Sequence, residues 1–175
     1  MTIHHAWIGG LLEHTLQLMK LADGMLVNYP RLNRDIVLIG LFIHDMGKVE
    51  ELRWDRGFEY TREGNLIGHI ARGAMWLEGK AKVAEKSLGE PLPDGFLTVM
   101  QHIVLSHHGQ LEHGAAKLPS TPEAIFVSQL DNLDAQTQMA LDSARPWNPP
   151  VTGEEAFTER LWSLNTKLYR RDPLH

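Results

Sequence analysis

Residues 36–47, IVLIGLFIHDMG, decide the fold, because eight consecutive apolar residues run directly into a His-Asp pair. Asn33, just before this stretch, is a residue type that favours helix starts, and Gly47 follows the predicted helix end. A helix that is apolar on nearly every side is expected at the centre of a protein. His44 and Asp45 at its end then need partners, since an unpaired buried charge is very costly.

The composition limits the chemistry that such a pair can perform. The chain has 175 residues, ten histidines and no cysteine. This length is enough for one domain with its own hydrophobic core. The absence of cysteine excludes disulfides, thiolate metal sites and a thiol nucleophile, so any metal must be bound by nitrogen and oxygen atoms. The net charge of −5 argues against a protein that coats DNA by charge alone.

Apolar residues recur with a helical period along most of the chain. We predict an all-α fold, a bundle of about six helices with no central sheet. The predicted helices span residues 9–28, 33–46, 64–87 (with an early break), 94–107, 121–141 and 153–170. Residues 52–61 are predicted to form an exposed loop or short hairpin.

Histidine or aspartate recurs in a partly apolar context in each of five predicted helices. Each one alone is consistent with a core side chain that is hydrogen-bonded to the backbone, and for His44-Asp45 alone this alternative has the better odds. Five independent buried polar groups are less expected than one shared metal centre, which explains them together. The residues are His14, His44 with Asp45, His69, His107 with His108, and Asp131.

This ordered set is similar to the HD-domain metal-dependent phosphohydrolase superfamily. The sequence motifs around these residues resemble the HD domain of YhaM-type 3′-to-5′ exoribonucleases, and the resemblance covers essentially the whole chain. These motifs are GGLLEHT (9–15), HDMGKVEEL (44–52), LIGHI (66–70), LSHHGQLEHG (105–114), DNLDA (131–135) and ERLWSLNTKLYRR (159–171).

The resemblance implies a centre of two divalent transition metals and catalytic roles for Asp45, His108 and Lys48. One metal would be held by His14, His44, Asp45 and Asp131, and Asp45 would bridge to a second metal held by His69 and His107. Imidazole and carboxylate ligands suit Mn²⁺ or Fe²⁺, which we favour, and also Co²⁺, Ni²⁺ or Zn²⁺. His108 would contact phosphate or donate a proton, and Lys48 would offset phosphate charge, although a solvated lysine at a helix end explains Lys48 equally well.

The predicted function is hydrolysis of phosphoester bonds, foremost 3′-to-5′ exonuclease action on short single-stranded RNA or DNA. The alternatives are a nucleotidase or cyclic-nucleotide phosphodiesterase and, in another class, a non-catalytic nucleotide-sensing or scaffolding module. Arg53 and Arg56, interleaved with aromatic residues, are candidate substrate contacts, although an amphipathic loop that packs its aromatic residues on the body is the more expected arrangement.

We expect one HD domain over residues 1–175, without the N-terminal OB-type module that the resembled subgroup usually carries. The first ten residues, MTIHHAWIGG, do not form a signal peptide, and residues 36–43 are too few to span a bilayer. A cytoplasmic protein is therefore expected.

Overall fold

The computed structural model describes residues 8–55, 57–146, 156–172 and 174. Across these residues the chain is all-α without a central sheet, which confirms the predicted fold class. None of the described helices is long and apolar enough to cross a membrane. The helices are α1 (Gly10–Leu26), α2 (Arg34–Ile43), α3 (Lys48–Glu51), α4 (Arg62–Leu66), α5 (Gly68–Leu88), α6 (Phe96–Ser106) and α7 (Pro122–Ala144).

The region predicted as a loop or short hairpin is an antiparallel hairpin of β1 (Leu52–Trp54) and β2 (Phe58–Tyr60). Arg53 lies opposite Glu59 across the two strands. A short 3₁₀ turn (Leu111–His113) interrupts the connection between α6 and α7. The described residues group into two compact units, the first of residues 8–131 and the second of the described residues from Asn132 onward. The expectation of a single domain stays a prediction.

Side-chain caps set several helix boundaries where the sequence predicts them. The Asn33 side chain accepts hydrogen bonds from the backbone N–H groups of Asp35 and Ile36, at 3.0 and 3.2 Å. These bonds satisfy donors that the first turn of α2 would otherwise leave unpaired. Thr121 Oγ1 likewise accepts from the N–H of Ala124 at 3.1 Å and caps α7. The predicted early break in the third helix separates α4 from α5.

The core of the first unit lies where α2 packs against α1 and α6. Gly40 of α2 allows close contact with α6, since a Cβ added there would lie 2.9 Å from Ile103 Cδ1. Burial of the apolar residues at this crossing stabilises the fold and fixes where the ends of α2 and α6 meet. The core residues are Leu18, Ala22, Leu26, Val37, Leu41, Met100, Ile103, Ala124, Val127 and Leu130.

The predicted last helix, residues 153–170, is wrong for the part that the structure describes. Residues 156–170 form a bridged turn, with antiparallel pairings of Phe157 with Tyr169 and of Leu161 with Thr166. Asn165 has a φ of 55°, a left-handed conformation that closes the turn and that asparagine tolerates well. The apolar spacing is compatible with a helix, but it carries no information on this turn. Residues 147–155 lie outside the described part of the chain.

Candidate metal centre

Five helices bring their predicted histidines and aspartates to one place. His14 lies on α1, His69 lies in the first turn of α5, and Asp131 lies on α7. His44 and Asp45 follow α2, and His107 directly follows α6. All are buried apart from Asp131, whose side chain is 17% exposed. The structure thus places the six proposed ligands together within the first unit.

Asp45 lies between the imidazoles of three different elements. Its Oδ1 is 3.6 Å from His69 Nε2 and 3.5 Å from His107 Nε2. Its Oδ2 is 3.5 Å from His44 Nε2. Asp45 thus offers one carboxylate oxygen to His69 and His107 and the other to His44.

His14 and Asp131 close the other side of the cluster. His14 Nε2 lies 3.1 Å from Asp131 Oδ1, and His44 Nε2 lies 3.8 Å from the same oxygen. The rings of His14 and His44 are 5.6 Å apart between centroids. Two groups of ligand atoms therefore form within 4.8 Å, one of His14, His44 and Asp45 and one of His69, His107 and His108.

Local helix geometry fixes the tautomers of His44 and His107. Each is the C-cap residue of its helix, and each Nδ1 lies close to the carbonyl oxygen three residues before it. The distances are 2.6 Å from His44 to Leu41 and 2.8 Å from His107 to Val104. Because a carbonyl only accepts, Nδ1 carries the proton and Nε2 presents a lone pair to the cluster.

Glu51 orients His69, a role that the sequence analysis missed. Both carboxylate oxygens lie 3.0 Å from His69 Nδ1, and Oε1 also accepts the backbone N–H of His69 at 3.0 Å. A carboxylate behind a histidine ligand fixes its ring and raises its basicity. The only signal in the sequence is a glutamate in the motif HDMGKVEEL, since its partner lies 18 residues further along the chain.

Buried lone pairs inside the cluster have no hydrogen-bond partner among the described residues. They belong to His44 Nε2, His69 Nε2, His107 Nε2 and Asp45 Oδ1. Such groups are costly when left unsatisfied, and native proteins rarely keep several in one place without a ligand. Their chemistry, imidazole nitrogen with carboxylate oxygen, fits a divalent transition metal.

His108 is a further imidazole beside this cluster. Its Nδ1 donates to the backbone carbonyl of His113 at 2.8 Å, and its ring is 4.4 Å from that of His107. Burial and the neighbouring His107 and His69 lower the pKa of His108 to about 4. The side chain is therefore neutral at pH 7, and its Nε2 is unprotonated.

The electrostatics of the cluster keep the two aspartates ionised and disfavour protonation of His44 and His69. Burial lowers the pKa values of His44 and His69. Burial opposes ionisation of Asp45, but the Lys48 ammonium, with Nζ 2.5 Å from Oδ2, acts together with His44 and His107 to hold the pKa of Asp45 well below its ordinary value. Burial likewise opposes ionisation of Asp131, whose pKa the hydrogen bond from His14 lowers. Ionised carboxylates at Asp45 and Asp131 and neutral imidazoles at His44 and His69 are the states that metal ligation requires.

Gly47 allows the end of α2 to approach the His69 backbone. A Cβ on Gly47 would lie 2.1 Å from the His69 carbonyl oxygen, where no real Cβ atom fits. Gly47 has a φ of −61°, so glycine is required by space and not by a left-handed turn. The glycine thereby brings His69 within reach of Asp45.

The structure describes one of the two arginines proposed as substrate contacts. Arg53 donates to Glu59 Oε2 at 2.8 Å across the β1–β2 hairpin, where both side chains are exposed. Arg56 lies outside the described residues. The hairpin begins directly after Glu51, and Thr61 Oγ1 ties its end to the Glu50 carbonyl at 2.8 Å. A role in substrate binding stays a prediction for both arginines.

An all-α fold with an ordered His, His-Asp, His, His and Asp set defines a class of metal-binding domains. The HD domain family model matches residues 11–136, a range that contains every proposed ligand. The chain belongs to the HD domain family. Membership implies that it binds divalent metal, and the His and Asp clusters described above could hold it.

Curated relatives of this chain carry the name 3′-5′ exoribonuclease YhaM. The protein from Bacillus pumilus (strain SAFR-032) is 38% identical over 98% of this chain and 51% of its own length. The Geobacillus sp. (strain WCH70) protein is 38% identical over 95% of this chain and 48% of its own length. The Bacillus subtilis (strain 168) protein is 35% identical over 98% of this chain and 51% of its own length. The chain thus spans about half the length of these relatives. No solved structure gave a significant match.

Proposed function

We propose that this chain is a metal-dependent phosphohydrolase that removes 5′-mononucleotides from the 3′ end of short single-stranded RNA or DNA. The main support for this proposal is that the Nε2 atoms of three imidazoles converge on the ionised carboxylate of Asp45. The relatives named 3′-5′ exoribonuclease support the choice of substrate.

The donor set supports two metal positions that share Asp45. His14, His44 and Asp131 would complete one, and His69 and His107 the other. We favour Mn²⁺ or Fe²⁺, with Co²⁺, Ni²⁺ or Zn²⁺ also compatible with these ligands. When bound, such metals would supply Lewis-acid chemistry that polarises a phosphoryl group and makes water a nucleophile at neutral pH.

The remaining residues would bind and orient the substrate. Lys48 keeps Asp45 ionised and presents its own charge beside the cluster, where it would attract a phosphate group. His108 has its only ring proton engaged by the His113 carbonyl. This geometry favours His108 as a ligand or hydrogen-bond acceptor, and a role as proton donor would need a second proton on a ring whose pKa is about 4.

An assay with labelled oligonucleotides tests the proposal. A single-stranded RNA of about 12 nucleotides, within the range that single-strand binding sites cover, is labelled at its 5′ end and incubated with the Mn²⁺-loaded chain. We expect a ladder of products shortened one nucleotide at a time, together with free 5′-mononucleotides. Asp45→Ala abolishes the ladder. Asp35→Ala, which removes an exposed aspartate from the first turn of α2, leaves it unchanged.

Other outcomes identify the alternatives. Turnover of mononucleotides or cyclic nucleotides without any oligonucleotide ladder overturns the exonuclease proposal in favour of a nucleotidase or phosphodiesterase. Tight nucleotide binding without turnover indicates a sensing or scaffolding module. Metal analysis is independent of activity: less than one transition metal per chain, after Mn²⁺ or Fe²⁺ is supplied, contradicts the metal mechanism.

A further inference from the structure

The second compact unit ends in a turn that exposes aromatic rings. We call residues 156–172, held by the bridges Phe157–Tyr169 and Leu161–Thr166, the C-terminal hairpin. Its Trp162 is 81% exposed, while Phe157 and Tyr169 are 51% and 48% exposed. Large aromatic side chains are usually buried for most of their surface. Three exposed rings within one short turn are therefore unusual and indicate a binding surface.

The same hairpin is basic within an acidic chain. It carries four cations, Arg160, Lys167, Arg170 and Arg171, against two carboxylates, whereas the whole chain has a net charge of −5. One of the carboxylates, Asp172, forms an ion pair at 3.5 Å with Arg145, which directly follows α7. Lys167, Arg170 and Arg171 form no ion pair within the described residues. Their charges are thus not neutralised by the described part of the protein.

The rings and cations are arranged for a ligand that has both flat apolar groups and negative charge. The Arg160 guanidinium lies 5.1 Å from the centre of the Trp162 ring, and its NH2 group is hydrogen-bonded to Asn165. The Phe157 and Tyr169 rings are 5.3 Å apart. Stacking rings beside backbone-tracking cations are the elements with which proteins bind single-stranded nucleic acid without strong sequence preference.

A groove beside the hairpin adds space for a base. It has a volume of about 510 Å³ and is lined by Tyr169, Leu164 and Leu168 of the hairpin together with residues of α7. The lining also includes the polar side chains of Gln136, Thr137 and Thr166. Pockets of this size, apolar with a few polar groups, accommodate small organic ligands. A base that passes Tyr169 could enter this groove.

We infer that the C-terminal hairpin is a single-stranded nucleic-acid contact, in which Trp162 and Tyr169 stack bases and Lys167 and Arg171 bind phosphates. This inference rests on the proposed function and extends it, because it assigns part of the grip on the substrate to residues outside the metal centre. A protein partner would also bury the aromatic rings. It would gain less than the phosphates of a nucleic acid would from the cations that form no ion pair.

The test measures binding apart from cleavage. The metal-loaded chain is titrated into a fluorescein-labelled phosphorothioate oligonucleotide of about 12 nucleotides, which keeps the charges but resists hydrolysis, and anisotropy is recorded at several salt concentrations. We expect Trp162→Ala to weaken binding by about ten-fold, the loss of one stacked base. Trp162→Phe restores most of the affinity.

A charge variant provides a second readout that does not depend on Trp162. In Lys167→Ala/Arg171→Ala the slope of log affinity against log salt should fall by about 0.7 for each lost phosphate contact. The matched control is Lys86→Ala, which removes an exposed cation from the last turn of α5 and should leave the slope unchanged. Circular dichroism confirms that each variant is folded.

The inference is overturned if affinity and salt slope are the same in all variants. It is also overturned if the hairpin variants keep full oligonucleotide affinity but lose self-association in sedimentation, which would make this surface an interface between copies. Because hydrolysis plays no part in the measurement, a chain that fails the exonuclease assay can still pass this one, and the reverse also holds.

Discussion

Glu51 holds His69 by both the side chain and the backbone. Each of its carboxylate oxygens lies 3.0 Å from His69 Nδ1, and Oε1 also accepts the His69 backbone N–H at 3.0 Å. Three contacts from one carboxylate fix the position of the ring as well as its tautomer. The Nε2 atom of His69 is thereby aimed at Asp45, 3.6 Å away.

Glu51→Gln is therefore expected to weaken metal binding. An amide can accept the backbone N–H, but it cannot supply two acceptor oxygens to the imidazole. We expect metal affinity to fall by at least ten-fold, the lower end of the range for such partners of metal-bound histidines. Titration of the metal-free protein with Mn²⁺, followed by calorimetry, measures the change.

Glu50→Gln is the control for this substitution, because Glu50 is a neighbouring glutamate that pairs with Arg72 at the surface. It should leave metal affinity unchanged. Equal effects of the two substitutions would show that Glu51 acts only through general charge. An unchanged melting temperature in Glu51→Gln, together with weaker metal binding, separates positioning from a purely structural role.

Gly47→Ala should destabilise the protein and displace His69. The added Cβ would meet the His69 carbonyl oxygen at 2.1 Å and its carbonyl carbon at 2.8 Å, both rigid backbone atoms. Overpacking of this kind costs about 1–3 kcal/mol in the free energy of unfolding. Urea denaturation measures the loss.

Gly79→Ala offers a matched comparison within α5. No atom outside its own helix backbone lies within 4 Å of the Cβ that would be added. Alanine in place of glycine inside a helix stabilises it by about 0.5–1 kcal/mol. The two Gly→Ala substitutions should thus have opposite signs, and a shared sign would contradict the role given to Gly47.

Metal binding should raise the melting temperature. The unpartnered atoms His44 Nε2, His69 Nε2, His107 Nε2 and Asp45 Oδ1 would gain a partner in the folded state only. At a metal concentration of 100 times the dissociation constant the gain is about 2.7 kcal/mol. For a chain of this length each kcal/mol shifts the midpoint by about 2–4 °C.

Thermal melts with EDTA and with increasing Mn²⁺ measure this shift. Ca²⁺, which prefers oxygen ligands, is the comparison ion and should have a smaller effect. A midpoint that is the same with EDTA and with an excess of Mn²⁺ would contradict binding of this metal to the folded cluster.

Arg53→Ala tests the predicted substrate contact at the β1–β2 hairpin. If Arg53 binds phosphate, KM for an oligonucleotide should rise several-fold while kcat is unchanged, since uniform binding affects KM alone. Glu59→Gln removes its ion-pair partner and should leave KM unchanged or lower it. If both substitutions leave KM unchanged, Arg53 only stabilises the hairpin, by less than about 1 kcal/mol.

Structural features that depend on adjacent residues could be predicted from the sequence, whereas contacts between residues far apart in the chain could not. The cap at Asn33 and the break between α4 and α5 depend on residues next to the boundary, and the structure has both there. Glu51 and Gly47 act on His69, which is 18 and 22 positions further along, so no local pattern indicates their role. In the last segment, Phe157, Leu161, Leu164 and Leu168 follow a helical spacing, but the left-handed Asn165 closes a turn there.

The C-caps of α2 and α6 give the metal centre a property that is independent of tertiary contacts. A helix leaves its last carbonyl groups without internal donors, and here the following histidine supplies one. The choice of which nitrogen is free for a metal thus depends on a contact within a single helical turn. The same arrangement could therefore be transferred to the end of a helix in an unrelated scaffold.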